Sequence, residues 1–294
     1  MIVERDSPGR KTFIAFNTIF LCTLSLLTLF PFVNVIAGSF STSLELLERP
    51  FMLFPQKPTF LSYQYIFSTR TFIRSMGVSV YITVVGTIVN LIMTFITAYP
   101  LSQKNLVGRG LLMNLVVFTM LFSGGMIPGF LNIRSLGLIN SLWSVILVGA
   151  ISTYNLIIAK NFIQRIPDEL KEAARIDGAN EMYILVRIIL PLSLPILATL
   201  GLFYAVGHWN NYFNCLLYIS DSAKWNVQVL LRQIVVQASG IGDSEMTRGE
   251  AAVVIPEAGV KCACILVSTL PILLVYPWLQ KYFAKGALLG AVKG

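Results

Sequence analysis

Residues 13–38 contain no charged side chain. As a helix this run is about 39 Å long at 1.5 Å per residue, more than the roughly 30 Å of a bilayer's hydrocarbon core. Five further apolar runs follow, at 75–99, 111–133, 138–159, 188–217 and 263–282; Lys281, at the end of the last, is the only charge in them. Lipid offers the backbone no hydrogen-bond partner, so such runs must be helical. The expected fold is an all-α membrane protein with six transmembrane helices. Composition agrees: 55% of residues are hydrophobic and 12% charged, where soluble domains carry roughly 25% charge. The first run imitates a signal peptide, because Arg5, Arg10 and Lys11 precede it and Val35-Ile36-Ala37 resembles a cleavage site. It is much longer than the roughly 7–15 residues of a signal core, so it is expected to stay as a span.

The gaps are polar. Residues 39–74 carry acids, bases and Pro50, Pro55 and Pro58, and residues 60–72 are aromatic-rich, as at a membrane interface. Lys104 and Arg109 mark a short basic loop that follows a helix closed by Pro100, and 134–137 is a tight turn. Residues 160–187 form a polar island; 221–261 form a longer excursion with a short helix expected at 225–237. The expected organisation is a cytoplasmic N-terminus at 1–12, a transmembrane domain at 13–283 and a cytoplasmic tail at 284–294. With the N-terminus inside, 13 of the 22 Lys and Arg residues face the cytoplasm. The bias is modest, but it puts both termini and the island inside and the 39–74 and 221–261 segments outside. The net charge of +8 is thereby read as charges flanking spans, not as a nucleic-acid surface.

Within the island, Pro167 opens a helix, with Asp168 and Glu169 at its positive end. Gly178 can end it in a left-handed conformation. Ala173, Ala174 and Gly178 leave room for another surface to approach. Pairs at Asp168–Lys171 and Glu172–Arg175 offset like-charge neighbours, each effect being roughly 0.2–0.5 kcal/mol, so self-pairing does not account for the pattern.

No acidic side chain lies inside any of the six runs. Proton-coupled carriers keep such a group despite its cost in lipid, so a proton symporter is disfavoured; a sodium-coupled carrier or a channel is the alternative. The chain has no Gly-Lys pair, hence no phosphate-binding Walker loop. No nucleotide or metal cofactor is expected on this chain. His208 is the only histidine, and no Gly-x-Ser-x-Gly elbow exists to pair with it; packing or hydrogen bonding within the bundle is its expected role. Cys22, Cys215, Cys262 and Cys264 fit no common zinc spacing.

The island reads Glu172-Ala173-Ala174, three residues, Gly178, nine residues, Ile188, one residue, Leu190-Pro191. This pattern resembles the cytoplasmic loop signature of permease subunits of binding-protein-dependent ABC importers. Gly124-Gly125-Met126-Ile127-Pro128, Leu136-Gly137-Leu138, Ile166-Pro167-Asp168-Glu169-Leu170, Ile176-Asp177-Gly178-Ala179 and Trp209-Asn210 are similar to the carbohydrate importers related to maltose permeases. The ending from Lys285-Gly286 to Gly294 resembles a complex-sugar subgroup. The resemblance implies a type I importer fold, in a bacterial cytoplasmic membrane, with a coupling helix between spans four and five. It implies a second homologous permease, two cytoplasmic ATP-binding subunits that use ATP and Mg, and an extracellular or periplasmic solute-binding protein that delivers a carbohydrate. By the same resemblance Glu172, Ala173, Ala174, Asp177 and Gly178 form the coupling loop, Glu172 pairing with a basic residue of the ATPase.

Sugars bind through hydrogen bonds and aromatic stacking. Asn90, Thr94, Thr97 and Tyr99 on the second run, Asn114, Thr119 and Ser123 on the third, Asn155 on the fourth, and Tyr204, His208, Asn210 and Asn211 on the fifth could line a path. Asn90, Asn114, Asn155, Tyr204, Asn210 and Asn211 are the path candidates carried forward. Hydrogen bonding between helices explains the same residues equally well.

Overall fold

The computed structural model describes residues 8–49, 51–238 and 257–291. Arg5, the 239–256 part of the long excursion and the end of the tail lie outside them. Among the described residues there is no strand. The helices are α1 (Pro8–Ser39), α2 (Ser43–Glu48), α3 (Leu61–Ser68), α4 (Arg70–Ser102), α5 (Arg109–Leu121), α6 (Met126–Ser135), α7 (Leu142–Leu147), α8 (Thr153–Ile163), α9 (Asp168–Ile176) and α10 (Glu181–Ile184). A π turn at Leu185–Ile189 leads to α11 (Leu190–Leu192), α12 (Leu194–Trp209) and α13 (Phe213–Tyr218). A 3₁₀ turn at Ser222–Lys224, α14 (Val227–Ala238) and α15 (Glu257–Ala291) complete the order.

Three stretches, Gly9–Ser39, Arg70–Ser102 and Ala258–Val275, are long and apolar enough to cross a membrane unbroken. The third and fifth expected spans are bent pairs: α5 and α6 meet at 115°, and the segment 181–192 meets α12 at 85°, so the count rises to five if each pair is one crossing. The fourth expected span is also interrupted, between α7 and α8, where Gly149 has φ +78°. Local chemistry explains the breaks. Gly125 takes φ +87°, a left-handed value that favours glycine. The 85° bend falls at Ser193, with ψ 8°, two residues before Pro195; upstream, before Pro191, Leu190 N–H reaches back five residues to the Leu185 carbonyl, the widened turn of a π bulge. Pro100 does not close the second span. α4 runs through it to Ser102, and the terminal carbonyls of Leu101 and Ser102 accept Arg109 Nε at 3.0 Å and Gln164 Nε2 at 3.3 Å.

The chain divides into two units, residues 1–69 with 233–269, and residues 70–232 with 270–294. In the first, α1 is exposed along both faces, with Phe13, Phe16, Ile19, Leu26 and Leu27 each two-thirds or more uncovered, as suits a lipid-facing helix. Residues 40–60 fold back on its end: Met52 N–H donates to Asn34 Oδ1 at 2.9 Å, and Glu45 accepts the amides of Gln56 and Lys57.

In the second unit α4 is the central mast. One core cluster, at its C-terminal end, joins Phe95, Ala98, Tyr99 and Leu101 to Leu156, Ala159 and Ile163 of α8 and to Ile184, Leu185, Ile189 and Leu200. Another joins Ile82 to Val145, Ile146, Cys215, Ile219 and Val229. From residue 82 to residue 98, α4 rises about 24 Å, so the two clusters mark opposite ends.

Candidate functional site

The island helix α9 sits against the first of these clusters. Pro167 caps it from outside, with ψ 133°, so the helix starts at Asp168 and not at the proline. Its other end is closed by two bonds, Gly178 N–H to the Arg175 carbonyl at 3.0 Å and Ala179 N–H to the Ala174 carbonyl at 2.9 Å. That is a Schellman motif, and it needs the left-handed φ of +80° that Gly178 adopts. A Cβ at Gly178 would meet nothing within 4 Å. Within this chain the glycine is required by backbone conformation, not by close packing.

The faces of α9 are unexpected for its sequence. Lys171 is 2% exposed and bonds Asp168 at 2.9 Å, while Lys104 reaches the same carboxylate at 3.2 Å. The two lysines hold the Asp168 carboxyl below its ordinary value, Lys171 contributing most. Ala174 and Ala179 pack on the core cluster. Ala173, Glu172, Asp177 and Gly178 are exposed, as are Leu170 at 45% and Ile176 at 86%. The structure thus separates the motif. Ala174 serves the chain's own core, and Glu172, Ala173, Asp177, Gly178 and Ile176 face outward.

A second clamp lies beside it. Arg175 Nε donates to Glu181 Oε1 at 2.8 Å, and Tyr99 OH donates to Glu181 Oε2. Arg175 therefore pairs across the Gly178 turn and not with Glu172, the partner expected at i,i+3. Arg175, then Tyr99, hold the Glu181 carboxyl below its ordinary 4.5. Glu181 and Lys171 carry this seat; the Asp168–Lys171 pair was expected at i,i+3 and is present, but Glu181 was not picked out from sequence, nor was the burial of Lys171. The six-residue Arg175–Glu181 separation across a glycine turn is the only signal for the first, and nothing in the pattern marks the second as buried.

The path candidates scatter. Asn90 Nδ2 and His208 Nε2 are 3.1 Å apart, and Thr94 Oγ1 and Tyr204 OH are 2.7 Å apart, tying α4 to α12. Tyr204 OH also accepts the Ser152 amide at 3.2 Å. Gly86 makes the first pairing feasible, since a Cβ there would lie 2.5 Å from His208 Nε2. Asn90 and Tyr204 are thus interhelical ties in this chain, and Asn155 is buried on α8. Asn211 Oδ1 caps α13 through Asn214 N–H, and the Asn211 carbonyl accepts Asn226 Nδ2 at 2.6 Å. Asn114 and Asn210 alone of the six are exposed.

A broken-helix bundle that carries an outward-facing polar helix clamped beneath one end is the architecture of a transporter's membrane subunit. The chain belongs to the family described as binding-protein-dependent transport system inner membrane component, which it matches over residues 15–288. It is 54% identical over 277 residues to the polygalacturonan/rhamnogalacturonan transport system permease protein YtcP of Bacillus subtilis, covering 94% of this chain and 96% of that one. It is 53% identical over 291 residues to protein LplC of the same organism, covering 98% and 97%. A solved bacterial ABC transporter involved in the import of the acidic polysaccharide alginate superposes with a TM-score of 0.88 at 32% identity, covering 94% of this chain and 98% of that one.

Proposed function

We propose that this chain is one of two membrane-spanning subunits of an ATP-driven importer and forms half of the path for an oligosaccharide or complex sugar. A solute-binding protein delivers the sugar from outside, and two cytoplasmic ATPase subunits use ATP and Mg. The family's dependence on a binding protein and the carbohydrate polymers named for YtcP and for the alginate transporter support this reading. In it the bent pairs and the interrupted fourth run count as single crossings, which gives six spans, both termini inside and α9 on the cytoplasmic side.

The observation that carries the mechanism is the two-sidedness of α9. Its inner face is fixed to the bundle by the Lys104–Asp168 ion pair, by Ala174 on the core cluster and by the Arg175–Glu181–Tyr99 clamp, with Lys171 buried beside them. Its outer face presents Glu172, Ala173 and Ile176. A helix held this way transmits displacement. When ATP closes the ATPase pair, a cation of the ATPase bonded to Glu172 pulls α9, and α9 carries α4 and α8 with it. The bundle then changes between two access states, whose balance the nucleotide sets.

Glu172→Lys tests this. The subunit should reach the membrane at the normal level, retain the ATPase poorly and lose sugar uptake, because reversing one charge of a shielded pair costs several kcal/mol. Normal ATPase retention and uptake would reduce α9 to a linker. Uptake that survives ATP depletion and collapses with a sodium ionophore would instead favour a self-contained carrier.

A further inference from the structure

The end of the second unit opposite α9 holds five bases and one acid among its described residues. Arg70 and Arg74 lie one turn apart at the start of α4, Arg134 is in the last turn of α6, Lys224 is in the 3₁₀ turn and Arg232 is on α14. The acid, Asp221, lies 3.9 Å from Lys224. Arg70, Arg74, Arg134 and Arg232 are exposed, and among the described residues no carboxylate pairs with them.

Hydrogen bonds make this end one rim. Asn140, at φ 62°, donates its N–H to the Tyr218 carbonyl and accepts Asp221 N–H on Oδ1 and Lys224 Nζ on its carbonyl at 2.8 Å. Val227 N–H donates to Ser79 Oγ at 2.8 Å, joining the rim to α4. Phe130, one turn before Arg134, stacks on Tyr218 at 6.2 Å, and the Arg232 guanidinium lies 5.5 Å over the Tyr212 ring.

Two physical tendencies oppose bases here. Cations at the start of a helix meet the positive end of its dipole, as Arg70 and Arg74 do. Short outward segments are normally poor in Lys and Arg. Yet these five residues are more than half of the nine bases on the outward side, and they are the reason the charge bias of the whole chain is modest. Resting on the importer reading, we infer that this rim receives anionic oligosaccharides, sugar chains bearing uronate carboxylates. Arginine forks accept carboxylates in a bidentate manner, and the Tyr212 ring holds one fork by cation–π contact. A basic mouth of this kind raises the local concentration of an anion about tenfold or more.

The test uses the complete importer, trapped with vanadate and free of its solute-binding protein. The probes are trigalacturonate and its fully methyl-esterified, neutral form, measured by calorimetry at low and high salt. The acid should bind about tenfold more tightly than the ester, and the gap should shrink as salt screens the rim. The double variant Arg134→Gln/Arg232→Gln should lose that advantage and leave ester binding unchanged. Arg134→Lys/Arg232→Lys, which keeps charge but not the fork, should fall between and controls for folding. Equal affinity for the two probes, or a variant that weakens both alike, overturns the inference. So does a variant that changes only the affinity for the solute-binding protein, since the rim would then be a protein-docking face. ATP-driven uptake of a neutral oligosaccharide without trigalacturonate binding would leave the importer reading standing and remove this one alone.

Discussion

The two ends of α4 use charge in opposite ways. At the α9 end, Lys104, Asp168 and Lys171 form one chain, and Arg175, Glu181 and Tyr99 form another. At the other end, neutral amides and backbone carbonyls hold the turns together, through Asn140, Asn211 and Asn226, and among the described residues four arginines have no carboxylate partner. Paired charges fix a geometry; unpaired ones project a field. In the readings proposed above, the first end transmits force and the second attracts a ligand. The contrast also says where charge changes should damage the fold and where they should damage only binding.

The sharpest way to break the contrast is to reverse one charge at each end. Lys171→Glu would place a carboxylate at a site that is 2% exposed, next to half-exposed Asp168, and burying an uncompensated charge there should cost about 3 kcal/mol or more. Arg134→Glu, on an exposed turn, should stay within about 0.5 kcal/mol of the parent. The readout is thermal unfolding in detergent, followed by a thiol-reactive dye that reports release of buried Cys215 and Cys264. The exposed Cys22 is first replaced by Ser. Similar melting of the two variants would erase the distinction.

Next in size is the strut between the ends. Gly86→Ala forces a Cβ to within 2.5–2.8 Å of the His208 ring. It should separate α4 from α12 at a cost of about 1–3 kcal/mol. Pairing it with His208→Ala, which empties the space, should recover part of the loss; no recovery would mean the ring is not what the methyl meets.

A smaller effect is expected at Gly178. With open space around its missing Cβ, only the backbone conformation is at stake. Gly178→Ala should cost about 1–2 kcal/mol, and Gly178→Asn less, because Asn tolerates the left-handed region. Equal losses for both would point to a clash instead.

These positions differ in how legible they were. The apolar runs, the helix at 168–176, its glycine stop and the breaks at Gly124-Gly125 and at Pro191 and Pro195 follow from local rules, and the structure has them. The short helix expected at 225–237 is α14. What failed was assignment of faces. On α9 the apolar Leu170 and Ile176 are exposed while Lys171 is buried, the inverse of the usual pattern. A single chain's sequence does not say which of its surfaces are completed by another subunit. For that reason Lys171, which reads as a solvated residue, is found buried. Asn90 and Tyr204 read equally well as path residues or as ties. Only the register of α4 against α12, set by Gly86 opposite His208, shows them paired. Pro100 reads as a helix end, and the cap that lets α4 pass it comes from Arg109 and Gln164, 9 and 64 residues away in sequence.

The smallest effect separates the ends by pH. Arg175 and Tyr99 hold the Glu181 carboxyl below 4.5. A carboxyl whose folded value is depressed contributes stability that is complete above the unfolded value and is lost as pH falls through the folded one. The clamp should therefore be intact at neutral pH and release on the acid side of 4.5. Arg175 stays protonated throughout, so Glu181 is the member that titrates. Because the Arg175 and Glu181 side chains are 42% and 57% exposed, the pair is worth no more than about 1 kcal/mol. Asp168 is depressed too, so the whole protein will soften in acid, and only a difference isolates the clamp. The melting temperature of the parent minus that of Glu181→Gln should be small and constant near neutrality and should vanish below pH 4.5. The same subtraction for Arg134→Gln should show no acid step, because among the described residues no carboxylate is tied to that guanidinium. A step for Arg134, or a Glu181 difference that persists in acid, would mean that charge pairing is not what distinguishes the two ends.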